Sequence, residues 1–189
     1  MKTIDMNTQG IFQINFVRWG LIMGGVSILI TILINTLLGP DWPVRNFFMS
    51  MVLNLALMVT LLILGINGKK AQQEGGFMTY GQSFLEGIII FSIASLLTIS
   101  FNAMYNYIIA PESIEIVKQA SIEVTEDWME KANASSKDIN KAIRQIESQD
   151  FGFNILSILK QLLGSVVFGA FISAIISIFT RKSRPMFDA

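Results

Sequence analysis

WGLIMGGVSILITILINTLL, residues 19–38, runs for twenty positions without a charged side chain, and its reading decides the solvent in which this chain folds. An α-helix rises 1.5 Å per residue, so about 20 residues match a hydrocarbon core of roughly 30 Å. Buried helices of soluble proteins rarely stay uncharged for so long. Three more stretches repeat the pattern: FFMSMVLNLALMVTLLILGI at 47–66, GIIIFSIASLLTISFNAMYNYII at 87–109 and QLLGSVVFGAFISAIISIFT at 161–180. The sequence therefore predicts an all-α polytopic membrane protein. Its single membrane domain, 1–189, has four transmembrane helices at about 18–38, 46–67, 80–109 and 154–180. An extramembrane helical hairpin, the charged insertion 111–150, lies between the third and fourth.

Composition narrows the chemistry. Hydrophobic residues make up 52% of the chain and charged residues only 15%, with the apolar ones bunched into the four runs. That is the pattern of a bilayer protein. Lys+Arg and Asp+Glu both number 14, and no basic cluster interleaved with aromatics occurs, so no nucleic-acid partner is expected. The chain has neither Cys nor His, which removes disulfides, thiolate nucleophiles, imidazole bases and the usual zinc or haem ligands together. No catalytic residue, cofactor site or metal site is expected, and the protein reads as no enzyme. The first apolar run lacks a small-residue cleavage pattern and exceeds a signal-peptide core, so it reads as an uncleaved anchor.

Punctuation between the runs is clear. Met1 to Val17 is mixed, with Phe12, Ile14, Phe16 and Val17 suggesting a short interfacial segment. Gly39-Pro40-Asp41-Trp42-Pro43 makes a tight turn into the second run, which ends at Asn67-Gly68-Lys69-Lys70. Gly75-Gly76 is a flexible break, and not a phosphate loop, since the longer glycine pattern and Lys-Ser/Thr pair are missing. Thr79 and Gln82 have capping-box spacing, which starts the third helix near Tyr80 and gives it about 30 residues, or roughly 45 Å. Within 111–150, nine acidic and five basic residues give a net charge of −4. Ile114, Val117, Ser121, Val124 and Trp128 recur at helical steps, as do Ile139, Ile143 and Ile146 after the break Asn133 to Ser136. Ser135 and Asp138 can cap the second helix. Self-packing of these two faces is the default; a partner or peptidoglycan contact is the alternative. The last run is preceded by Phe151-Gly152.

Basic residues near helix ends favour the cytoplasmic side. Lys2, Arg18, Lys69, Lys70, Arg181, Lys182 and Arg184 share one side if the spans alternate, against Arg45 alone in the short turn opposite. Both termini are therefore expected in the cytoplasm of a bacterial inner membrane, with residues 111–150 periplasmic. Trp19, Tyr80 and Phe179 then sit at the inner interface, and Trp42, Phe47, Tyr105, Tyr107, Phe151 and Phe153 at the outer one.

Ser165, Gly169, Ser173 and Ser177 recur every fourth residue, and Gly20 and Gly24 form a shorter version. Small residues at this spacing let helices approach closely in lipid. Packing within one chain is the plainer reading, and a dimer seam the sharper one. Arg18, Asn54, Glu86, Asn102 and Lys160 are the candidate intramembrane polar residues, because polar groups in lipid are costly and often functional. Glu86 falls near the inner boundary, within reach of Arg18, and Lys160 near the outer one.

The segment Gly75-Gly76-Phe77-Met78-Thr79-Tyr80-Gly81-Gln82-Ser83-Phe84 opens a helix after a Lys-rich turn. With the ending Phe168-Gly169-Ala170-Phe171-Ile172-Ser173 and its basic tail, it resembles the hallmark of the DUF4199 family over about Arg18 to Lys182. The resemblance implies a small four-helix bacterial membrane protein with a charged insertion between its third and fourth spans, and it transfers no catalytic residue. The expected role is non-enzymatic: an assembly or accessory subunit in the cell envelope, with membrane lipid, a second copy or an envelope protein as partner. The alternative is a small transporter or channel subunit for an ion or lipid-linked molecule, which requires a cavity lined by Asn54, Asn102, Glu86 or the serine stripe.

Overall fold

The computed structural model describes residues 14–148 and 155–182. The expectations for Lys2, Phe12, Asp150, Phe151, Gly152, Phe153 and Arg184 fall outside them. Among the described residues every regular element is helical: α1 (Asn15–Leu37), α2 (Trp42–Arg45), α3 (Phe47–Ala71), a 3-10 turn (Glu74–Gly76), α4 (Tyr80–Met104) extended by a π-turn (Tyr105–Ile109), α5 (Glu112–Lys131), α6 (Ser136–Glu147) and α7 (Ile155–Thr180). Four helices are long and apolar enough to cross a membrane: Asn15–Leu37, Phe47–Ala71, Tyr80–Ile109 and Leu156–Thr180.

Two helices extend past the membrane spans expected from the sequence. Helix α1 starts three residues before position 18, at Asn15, because the Asn15 side chain is held inside the bundle rather than at an interface. Helix α3 continues four residues past 67, to Ala71. Gly68 does not end it, since the missing side chain is what admits the Trp19 ring: a Cβ there would stand 2.8 Å from Trp19 Nε1.

Helix α4 is the hub. It packs most extensively on α7 and α1 and also touches α3, while α3 touches all three others. The contacts depend on missing side chains. A Cβ on Gly20 would lie 2.7 Å from Ile93 Cβ, one on Gly24 2.8 Å from Leu97 Cδ2, one on Gly65 2.7 Å from Ile90 Cδ1, and one on Gly87 2.7 Å from Ser173 Oγ. At Gly169 the neighbour is the Phe91 ring. Lipid offers no hydrophobic drive between helices, so close van der Waals packing at small residues holds them together. The stripe of Gly169, Ser173 and Ser177 is buried against the chain's own α4, with Ser165 half-buried at its far end.

Local chemistry sets the ends. Thr79 caps α4: its Oγ1 accepts from Gln82 N–H at 3.3 Å while Gln82 Oε1 accepts from Thr79 N–H at 3.0 Å, the reciprocal capping box. Pro111 stops the helix beyond the π-turn, and Ala110 before it is pushed out of the helical region (φ −140°, ψ 67°), as the residue before a proline is. Ser135 Oγ accepts from Asp138 N–H and starts α6.

Glycines at the seam and glycines in the open separate packing from propensity. Gly87→Leu should lower the unfolding temperature in detergent by an amount corresponding to about 1–3 kcal/mol of overpacking. Gly164→Ala, where an added Cβ meets nothing within 4 Å, should leave stability unchanged or raise it by up to about 1 kcal/mol, the helix-propensity difference between the two residues. Equal behaviour of the two variants in a thermal unfolding assay would contradict the close-packed seam.

Candidate functional site

The basic end of the bundle, where α1 and α4 begin and α3 and α7 end, is stitched by polar contacts. Asn15 Nδ2 donates to Glu86 Oε1 at 2.6 Å and to the Gly65 carbonyl at 2.9 Å. One amide thus ties α1, α3 and α4, and both Asn15 and Glu86 are buried. Arg18 is exposed and makes no ion pair with Glu86. The carboxyl points instead at a neutral donor one turn earlier on α1. Sequence reading missed Asn15 because its partner lies 71 residues away.

Beside this node, Lys70 Nζ donates to the Thr180 carbonyl at 2.9 Å, satisfying an orphan carbonyl at the end of α7 with a cation that the helix dipole favours. Met78 and Lys182 exchange backbone hydrogen bonds at 3.0 and 2.9 Å, and the Lys182 ammonium stands 5.0 Å from the centre of the Phe77 ring. Gly75 and Gly76 reach this arrangement at φ 70° and 63°, conformations that glycine adopts without strain. The two stretches that carry the family resemblance are therefore folded onto each other.

The second site is a cavity of about 250 Å³ between all four long helices. Met23 and Ser27 come from α1, Asn54 to Leu61 from α3, Phe91 to Asn102 from α4, and Gln161 and Ser165 from α7. Among the candidate polar residues, the fold brings Asn54 and Asn102 together here with Ser165 of the stripe. It leaves Glu86 and Arg18 at the basic end and Lys160 exposed on α7. Sequence reading missed Ser95, Thr98 and Gln161. Ser95, Thr98 and Asn102 lie at steps of three and four, a polar face that helical periodicity displays.

The outer surface of the four helices is apolar and uncovered: Leu33, Phe48, Leu96, Leu163, Phe171 and Phe179 are all exposed. In water such a surface would drive aggregation, whereas acyl chains solvate it, and each helix satisfies its own backbone. This defines the class, a four-helix membrane bundle with a largely apolar outer surface. The chain belongs to the DUF4199 family, described as a protein of unknown function, whose sequence model matches residues 18–182. No curated protein and no solved structure matches it significantly.

Removing the Asn15 side chain strands a buried carboxyl, so Asn15→Leu should destabilise the detergent-purified protein by roughly 1–3 kcal/mol. The double variant Asn15→Leu with Glu86→Leu should lose less than the sum of the two single losses. Additive losses in the double-mutant cycle would show that the two side chains do not interact.

Proposed function

We propose that this protein is a non-enzymatic, multi-pass bacterial inner-membrane protein that acts as an assembly or accessory subunit in the envelope, presenting residues 111–150 to a periplasmic partner. The seating of α5 carries this reading. Trp128 stacks on Phe48 with ring centres 5.6 Å apart and meets Phe47 edge-on at 6.3 Å. Arg45 Nη2 pairs with Glu123 at 2.9 Å, and Ser113 Oγ bonds Asn106 at 3.0 Å. The insertion is thus fixed to the bundle at both ends of α5 rather than tethered.

Its second helix supports the same reading. Ile139, Ala142, Ile143 and Ile146 are half-buried on α6 while its other described residues are exposed, and α6 packs on α5. With α6 packed on α5, its exposed side offers Lys137, Asp138, Lys141 and Arg144 to a polar partner. Conduction fits less well: Leu62, Ile66 and Ile90, just beyond the cavity toward the basic end, have no solvent exposure, so no path crosses the bundle there.

Three experiments test this. Because the chain lacks Cys, Ser136→Cys should react with a membrane-impermeant maleimide in cells with a permeabilised outer membrane, and Gln72→Cys only after lysis; the reverse would overturn the topology. A photo-crosslinker replacing Lys141 should trap a discrete adduct with an envelope protein, whereas a free monomer throughout would oppose the assembly role. Asp41 is held below the usual carboxylate range chiefly by its hydrogen bond from Arg45. That stabilisation is complete above an unfolded value of about 3.9 and is lost as pH falls through the lower folded value. With Trp19 and Trp42 replaced by Phe, Trp128 emission should hold steady from about pH 7 to 5 and shift red below about pH 4. In Arg45→Ala the acid-side change should be smaller, because Asp41 then has no partner to lose.

A further inference from the structure

The cavity combines three properties not needed for assembly. First, its wall carries hydrogen-bonding groups that the fold leaves unused. Ser27, Asn54 and Ser165 bond carbonyls of their own helices, but the side chains of Ser95, Thr98, Asn102 and Gln161 have no hydrogen bond among the described residues. Polar groups placed at membrane depth normally find a partner, because the bilayer supplies none. Second, none of its lining residues is ionisable, so it offers no counter-charge to an ion or a phosphate. Third, it is open at the side. Asn54 on α3 and Gln161 on α7 are its only exposed lining residues, which puts the mouth between those two helices.

The reason for the opening is visible in α3. Its Gly65 and Gly68 pull the basic-end half against Trp19 and Ile90. The other half has no glycine, and residues 51–56 are all exposed, so α3 leans away from the bundle there.

We propose that this cavity binds the head of an uncharged lipid carrying hydroxyl and ester groups, with its acyl chains leaving through the gap between α3 and α7. Serine, threonine, asparagine and glutamine side chains all donate and accept, which matches a hydroxyl that does both and a carbonyl that accepts. At about 30 Å³ per water, the volume equals about eight waters, enough for a glycerol-sized head and the first methylenes. Met23, Leu57, Met58, Leu61 and Phe91 form the apolar part of the wall. The site stands independently of any partner for residues 111–150.

The test is native mass spectrometry of the full-length protein in mild detergent, titrated with dioleoylglycerol and, in parallel, with phosphatidylglycerol. Dioleoylglycerol should be retained by the parent protein in preference to the anionic lipid. Asn102→Leu with Gln161→Leu should weaken retention about tenfold, the loss of two hydrogen bonds. Ser95→Phe, which fills the space, should abolish it, and Leu163→Ala on the exposed face should leave it unchanged. Thermal unfolding of each variant reports whether it still folds, and the Asn102/Gln161 pair keeps the test alive if Ser95→Phe does not. No retention by the parent, equal retention of phosphatidylglycerol, or equal retention by the folded pair variant would each overturn the proposal, leaving a site that holds water only.

Discussion

The rest of the fold depends on how closely α4 is approached by its neighbours. Lipid-facing helices gain little by hiding apolar side chains from a solvent as apolar as they are, so contact distance decides association. Glycines set that distance on each flank: Gly20 and Gly24 bring α1 onto α4, Gly65 brings α3 against α1 and α4, and Gly87 and Gly169 seat α7. Two buried hydroxyls, Ser83 and Ser173, lie in the same region without a partner atom among the described residues, a cost that tight packing has to outweigh.

This constraint is unevenly distributed along the bundle, and the unevenness separates two regions. Toward the basic end, glycine contacts coincide with the Asn15–Glu86 bond, the Lys70 cap and the Met78–Lys182 pairing, so packing and polar contacts reinforce one another. Toward the insertion, α3 has no glycine and the helices separate around Asn102. Aromatic stacking and ion pairs take over there, through Trp128, Phe48, Arg45 and Glu123. Those contacts are exposed, so they locate α5 more than they stabilise it.

What could be read in advance follows from range. Features decided within a few residues were legible: the uncharged runs, the Thr79–Gln82 cap, the Ser135 cap and the alternation of apolar positions in α5 and α6. Helix α3 runs on to Ala71, beyond the expected span, because the role of Gly68 is set by Trp19 on another helix. Asn15 sat in a segment read as interfacial, since nothing nearby reveals a carboxyl on α4. Asn54 and Asn102 stood out as polar residues in apolar runs. Their meeting in one cavity with Gln161 needed the relative placement of three helices, which periodicity within a single helix does not contain.

The pairing of Met78 with Lys182 joins the start of α4 to residues made about a hundred positions later. During synthesis the ribosome releases α1, α3 and α4 well before α7, so the groove around Ser83 and Gly87 waits uncovered in the bilayer until α7 has been made. Completion of the bundle therefore waits for the fourth long helix, and a chain halted before it keeps its hub open to any other helix that happens to pass.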